Sequence, residues 1–179
     1  MYKKFKSPHH GVGTIVDVSI DQDAELIKRE FKAGSITVGK KVHDYNYNQV
    51  KDFFNNEVKW LEKLDSKWIP ETVEIQNNVI IQKYYGPCLL DFKSNNEFLN
   101  YVPDIVEQVI EMYEFFKFHN VFKRNGSLSN LTHNNGQLVA FDFKWSTKRP
   151  NGIEMELKSY KEWLSKIDSK LEQQLTNLI

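Results

Sequence analysis

The first half of the chain alternates between apolar and polar residues, which is the pattern of β-strands. Three β-rich runs, at 14–20, 24–31 and 35–42, are separated by the turn-forming stretches DQD and KAG. Two later runs, TVEIQ and NVIIQKYY, meet at the pair Asn77 and Asn78 and predict a hairpin. We therefore expect antiparallel β-structure in this half.

Apolar residues also recur at helical spacing in three places. The first predicted helix covers 52–64. The second begins near Pro103, a residue that suits a first helical turn, and ends near His119. The third follows the stretch RPNG and continues through Leu171, and a short apolar strand, LVAF, precedes that stretch. The second half is therefore predicted to be mainly helical.

The stretch GPCLLDF separates these halves, because Gly86 and Pro87 break the apolar pattern. We read it as a linker between two lobes, 1–85 and 86–179. The first lobe contains strands and one helix, and the second contains helices and a short hairpin. The order predicts an α+β fold in two lobes.

Composition narrows the class of partner and the compartment. The 179 residues carry 24 Lys and Arg against 24 Asp and Glu, so no global basic field favours nucleic acid or an anionic membrane. Cys88 is the single cysteine, which fits a reducing compartment. No run approaches the ~18 apolar residues of a membrane span. We expect a cytoplasmic protein with no nucleic-acid or membrane partner.

Glu57 is the first residue whose position indicates chemistry. It lies between Phe53 and Trp60 on the apolar face of the first predicted helix. A buried carboxylate is costly unless a cation pairs with it. Lys40 and Lys41, at the end of the third β-rich run, are the nearest candidates. The alternative is that Glu57 lies at the edge of the apolar face and reaches water.

The second indication is a polar loop before the LVAF strand. Asn125 and Asn130 are separated by four residues in this loop, and Asp142 follows the strand directly. Mg²⁺ is commonly bound by one or two such carboxylate or amide oxygens together with substrate phosphates. Asn130 and Asp142 are therefore a candidate metal pair.

Taken together, these features occur in the order of the protein-kinase signature motifs. VGKK resembles the strand motif V-A-I-K, with Lys41 as the phosphate lysine, and Glu57 stands where the helix glutamate is expected. KRNGSLSN is similar to the catalytic loop, and DFK to D-F-G, which gives Asn130 and Asp142 the metal-binding roles. The chain resembles a minimal, truncated member of the protein kinase-like superfamily. The resemblance implies a two-lobed kinase-like fold with a reduced helical C-lobe, in which 121–145 is the catalytic-loop segment.

The same resemblance implies the ligands. ATP and Mg²⁺ are the expected cofactors, and KYYGPCLLDF looks like the hinge that holds the adenine. Its contacts would come from backbone groups near Lys83, Tyr84, Tyr85 and Gly86, and Lys40 is a second candidate beside Lys41 for the phosphates.

Several departures from the family pattern limit the expected activity. Asn125 occupies the position of the catalytic aspartate, and an amide cannot accept a proton from a substrate hydroxyl. Lys123 replaces the histidine, and Lys144 replaces the glycine after Asp-Phe. The loop SIDQDA contains acids and no glycine where phosphate would be covered. An alternative register uses HHGVGTIV as the glycine loop and Lys28 as the lysine.

We therefore expect a kinase-like protein with a Mg–ATP site that is a pseudokinase or a very weak phosphotransferase. The alternative is an active small phosphotransferase that acts on a small molecule or an unusual acceptor. A third reading is an ordinary α+β domain, in which Glu57 and Lys41 would be exposed. The expected partners are a nucleotide, an unidentified acceptor or protein, and a second copy of the chain that completes the short helical lobe.

Overall fold

The computed structural model describes residues 1–5, 14–38, 40–92, 97–124, 126–148 and 150–178. The chain is α+β and divides into two compact units. Unit 1 consists of Met1–Asp65 and Pro70–Tyr85, and unit 2 consists of Ser66–Ile69 and Gly86–Ile179.

Unit 1 contains one helix and seven strands, which are β1 (Lys3–Phe5), β2 (Val16–Asp21), β3 (Leu26–Phe31), β4 (Gly34–Val38), β5 (Lys41–Tyr45), α1 (Tyr47–Lys63), β6 (Thr72–Gln76) and β7 (Val79–Lys83). Five of the strands form an antiparallel sheet in the order β1-β2-β3-β7-β6. The first two predicted runs and the later hairpin are confirmed, whereas β1 was not predicted.

The third β-rich run is not one strand. It divides into β4 and β5, which pair with each other in a separate two-stranded sheet. In sequence, Gly39 interrupts the run, and glycine weakens a continuous strand; Gly39 itself lies outside the described residues. The split matters for the site, because it places Lys40 and Lys41 at the turn of this hairpin and not in the five-stranded sheet.

Helix α1 begins five residues before its predicted start, because Asn46 caps it. The Asn46 side chain accepts a hydrogen bond from the Gln49 backbone N–H at 3.0 Å, and the Gln49 side chain accepts one from the Asn46 N–H at 2.9 Å. This reciprocal pair satisfies two N–H groups that lack partners in a helix start. The helix packs on the sheet through Phe54, whose ring meets that of Phe31 edge-on at 5.4 Å.

The described residues of unit 2 form three helices and two strands besides short 3₁₀ turns, in the order α2 (Ile105–Phe118), β8 (Leu131–Asn134), β9 (Gln137–Ala140), α3 (Pro150–Ile167) and α4 (Ser169–Leu178). That order gives three helices around one β8–β9 hairpin. The core of unit 2 is built from apolar side chains of all these elements, among them Val109, Met112, Phe116, Leu138, Phe143, Tyr160, Leu164 and Leu175.

The last predicted helix is two helices. Asp168 separates α3 from α4, and its carboxylate accepts a hydrogen bond from the Lys170 N–H at 2.9 Å. An aspartate that binds a backbone N–H ahead of it starts a helix more readily than it continues one. The break lets α4 turn back, so that both α3 and α4 pack on α2.

The change of unit at Tyr85 and Gly86 coincides with the predicted linker. Ser66–Ile69, predicted in the first lobe, belongs instead to unit 2, where the Trp68 carbonyl accepts a hydrogen bond from the Ala140 N–H at 2.8 Å. Within the described ranges, none of the helices has the length and apolar character that crossing a membrane requires.

Candidate functional site

Glu57 lies on the apolar face of α1 and is completely buried, with 0% of its surface exposed. Its carboxylate meets the guanidinium of Arg29 on β3. Nη2 lies 2.9 Å from Oε2, and Nη1 makes a second, shorter contact with Oε1. The contact is the two-pronged arrangement that Arg and carboxylate groups favour. Unit 1 therefore contains the strand–helix ion pair that the sequence predicted.

The predicted cation was wrong. Lys40 and Lys41 are exposed at the turn between β4 and β5, so neither is the partner of the buried Glu57. Lys28, the lysine of the alternative register, lies on β3 but contacts Glu30 at 3.2 Å. The cation beside Glu57 is therefore Arg29, the residue that follows Lys28 on β3.

The alternation of side chains along β3 identifies Arg29 as the cation that meets Glu57. Successive side chains of a strand point to opposite faces, so Arg29 shares a face with Phe31 and Lys28 does not. Phe31 and Arg29 are both buried, with 1% and 7% of their surfaces exposed. Once β3 is known to lie beside α1, alternation along LIKREF predicts that its buried face contains one cation, Arg29.

Asn130 and Asp142, the predicted metal pair, lie on either side of the β8–β9 hairpin in unit 2. Asn130 ends a short 3₁₀ turn at Leu128–Asn130 and is buried, and its carbonyl accepts a hydrogen bond from the Phe141 N–H at 3.0 Å. This bond ties Asn130 to the residue just before Asp142. Asp142 has a left-handed backbone (φ 67°), a conformation that Asp and Asn tolerate better than most residues. The hairpin thus places the backbone of Asn130 beside Phe141, the residue that precedes Asp142.

Lys144 forms an ion pair with the same aspartate. Its ammonium contacts Asp142 Oδ1, and only 12% and 14% of the two side chains are exposed. The residue between them, Phe143, is buried and meets the ring of Phe116 edge-on at 5.9 Å. The Asp142 carboxylate therefore already has a cationic partner from its own turn.

A third charged group, which the sequence did not predict, connects α3 to the segment before β8. Glu156 is buried, and its carboxylate accepts hydrogen bonds from the Lys123 N–H and the Tyr160 hydroxyl, both at 2.8 Å. Burial raises the pKa of Glu156, while the charge of Lys123 and the two hydrogen bonds lower it again in part. Burial next to Glu156 also raises the pKa of Tyr160 well above its usual value. Glu156 and Tyr160 are four residues apart, so helical spacing places them on the same face of α3. This spacing was the sequence signal that could have identified Glu156.

Lys123 is itself completely buried, and its ammonium lies 5.3 Å from the centre of the Phe143 ring. Lys123 thus packs against Phe143. Asn125, two residues later, lies outside the described residues, as do residues 9–13 of the alternative glycine loop, including Gly11 and Gly13.

The predicted hinge residues are partly engaged within unit 1. The Lys83 N–H donates to the Glu71 carbonyl at 2.9 Å, and the Tyr84 N–H donates to the Glu25 carbonyl at 2.8 Å. These two backbone donors are therefore not available to an adenine. Gly86 has φ 103°, which explains why glycine stands there.

The described residues contain no group of three or more His, Cys, Asp and Glu side chains that could hold a metal ion. A comparison with protein-family models gave no match, and neither did a comparison with curated proteins.

Proposed function

We propose that this chain is a kinase-like protein that binds a nucleotide and transfers phosphate very weakly or not at all. The buried Arg29–Glu57 pair carries the proposal. A buried ion pair adds little to stability compared with apolar residues, so its presence favours a role beyond packing. In protein kinases a strand lysine paired with a helix glutamate binds the nucleotide phosphates. A guanidinium held in one orientation is also a suitable phosphate ligand.

Asn130 and Asp142 support the same proposal from unit 2. They have the order and residue types of the kinase metal ligands, and the Asn130–Phe141 backbone bond joins the two chain segments that carry them. As the turn stands, however, the residues do not fit Mg²⁺ well, because the ammonium of Lys144 contacts the Asp142 carboxylate. The proposed ligand is therefore the nucleotide, and Mg²⁺ has no part in the proposal.

The weak phosphate transfer that we propose follows from Asn125. An amide in place of the catalytic aspartate lacks the carboxylate that accepts the proton of the acceptor hydroxyl. Phosphoryl transfer depends mostly on positioning and charge stabilisation, so the loss slows the reaction. The alternative, an active phosphotransferase for a small or unusual acceptor, is favoured only by the joint presence of Glu57, Asn130 and Asp142.

Thermal unfolding with ATP tests the proposal. A nucleotide at about 100 times its dissociation constant stabilises the native state by ~2.7 kcal/mol. We expect such a shift for the wild type and a smaller one for Arg29→Lys, which keeps the charge and loses the two-pronged contact. Lys28→Arg, the neighbour on the opposite face of β3, is the matched control and should respond like the wild type.

Phosphate release over hours, followed by ³¹P NMR, separates the two functions. We expect no release above the protein-free blank. Turnover that an added small-molecule acceptor accelerates would establish the alternative. If ATP, ADP and GTP at millimolar concentration all fail to shift the unfolding temperature of the folded protein, the nucleotide proposal is wrong.

A further inference from the structure

The Asp142–Lys144 ion pair indicates in which form, metal-bound or metal-free, the nucleotide binds. This inference rests on the proposed function. Lys144 stands where the kinase motif has glycine, so the ammonium is an addition that the motif does not supply. It contacts Asp142 Oδ1, and both side chains are mostly buried. The question is what this cation does at the carboxylate that the resemblance assigns to Mg²⁺.

The pair is held in place by its surroundings. Phe143, between the two charged residues, is anchored in the core against Phe116 and Lys123. The Ser146 N–H donates to the Phe143 carbonyl at 2.9 Å and closes a turn over Lys144. Because the backbone on both sides is fixed, Lys144 is positioned on Asp142 and loses little freedom when the contact forms.

An ammonium in this position competes with a divalent metal. Mg²⁺ requires near-octahedral oxygen ligands and gives up its water reluctantly. To bind Asp142 it must displace a largely buried ammonium or share the carboxylate with it, and two cations within a few ångströms repel each other strongly where little water screens them. The metal is therefore disfavoured at this carboxylate.

The ammonium can nevertheless perform part of the metal's task. It carries three N–H donors and one positive charge, and Asp142 accepts from it through Oδ1. Lysine is a common phosphate ligand in its own right. We propose that Lys144 takes the place of the divalent ion as the counter-charge at Asp142, so that this protein binds a nucleoside triphosphate in its metal-free form.

The test compares ATP binding in EDTA and in MgCl₂ for three proteins. The wild type should show equal unfolding shifts in both buffers. Lys144→Met keeps the length of the side chain and removes the charge, so it should bind ATP about tenfold more weakly in EDTA, the loss of one charged hydrogen bond. Mg²⁺ should restore its binding, because Asp142 is then open to the metal. Lys144→Arg keeps the charge and should retain binding in EDTA.

Mn²⁺ binding without nucleotide, measured by electron paramagnetic resonance, gives an independent readout. We expect binding to Lys144→Met to exceed that to the wild type. Circular dichroism establishes that each variant is folded; if Lys144→Met does not fold, the wild type and Lys144→Arg in the two buffers decide.

Each other outcome has a definite meaning. A wild type that needs Mg²⁺ to bind ATP overturns the role of Lys144 and leaves the proposed nucleotide function standing. Equal ATP binding by Lys144→Met and the wild type in EDTA overturns it as well. No ATP binding in either buffer by the folded wild type instead refutes the proposed function, and the role of Lys144 with it.

Discussion

Arg29 and Glu57 are 28 residues apart in the chain, whereas Asp142 and Lys144 are separated by Phe143 alone. The first pair joins a strand to a helix, and its side chains are 8% and 0% exposed. The second pair lies within one turn, and its side chains are 14% and 12% exposed. Each pair contains one residue to which the kinase resemblance assigns a role in the site, Glu57 in the first and Asp142 in the second, but the pairs differ in what creates them.

The difference separates stability from binding. The Arg29–Glu57 pair exists only when β3 and α1 are packed, so disrupting it should affect folding of unit 1. The Asp142–Lys144 pair forms locally, so disrupting it should affect mainly what binds at Asp142. The following substitutions test this distinction, beginning with the largest expected effect.

Arg29→Met should destabilise the protein by about 3–5 kcal/mol, because it leaves the completely buried Glu57 carboxylate without its cation. Urea unfolding measures the change. Lys28→Met is the matched control, since the Lys28–Glu30 pair is partly exposed and should contribute less than about 1 kcal/mol.

The double variant Arg29→Met, Glu57→Leu sharpens this result. It removes both charges at once and should recover most of the lost stability, because apolar residues replace buried ion pairs well. If Arg29→Met destabilises the protein no more than Lys28→Met does, the buried Arg29–Glu57 pair does not contribute more to stability than the partly exposed Lys28–Glu30 pair.

Tyr160→Phe should cost about 1.5–3 kcal/mol, because the buried Glu156 carboxylate loses a hydrogen-bond donor. This variant tests whether burial of a carboxylate alone determines the loss of stability when one of its partners is removed. Glu156 is about as buried as Glu57 but lies in unit 2. Tyr101→Phe, at a half-exposed tyrosine, is the control and should be nearly neutral in urea unfolding.

Glu156 should also make stability depend on pH. Its pKa is raised in the folded state, so between the unfolded and folded values the native state binds more protons than the unfolded state. The contribution of Glu156 to stability therefore increases as pH falls through this window and decreases as pH rises. Glu156→Gln cannot titrate, so the stability difference between wild type and variant should shift in favour of the wild type on acidification. A pH-independent difference in urea unfolding would contradict this.

Asn46→Ala should cost about 1 kcal/mol, because the capping interaction with Gln49 is lost at the start of α1. Asn48→Ala, inside the first turn of the same helix, is the control and should be close to neutral. Because Asn46 stabilises the helix of Glu57 without touching the ion pair, its effect should add to that of Arg29→Met. Strong non-additivity would mean that the cap and the pair are coupled.

Lys144→Met should destabilise the protein less than Arg29→Met, because the Asp142 side chain that loses its cation is 14% exposed, whereas that of Glu57 is completely buried. The same variant should change nucleotide binding most. A loss of stability comparable to that of Arg29→Met in urea unfolding would remove the distinction between the two pairs.

The α+β class, the hairpin at β6–β7 and most helix positions followed from apolar spacing, since one face of each element is buried in its own unit. The short hairpin between Asn130 and Asp142 was also predicted, because the apolar strand LVAF directly precedes Asp142. The errors came where a local signal was ambiguous. A β-rich run became β4 and β5, and the last predicted helix broke at Asp168.

By itself, the sequence determined most of the elements and their order, because these depend on side chains a few positions apart. Only the tertiary structure decided which cation serves Glu57 and which backbone group Glu156 supports. Those choices depend on which faces of β3, α1 and α3 are buried. A buried carboxylate takes whichever cation the packed strand places beside it, and that was Arg29.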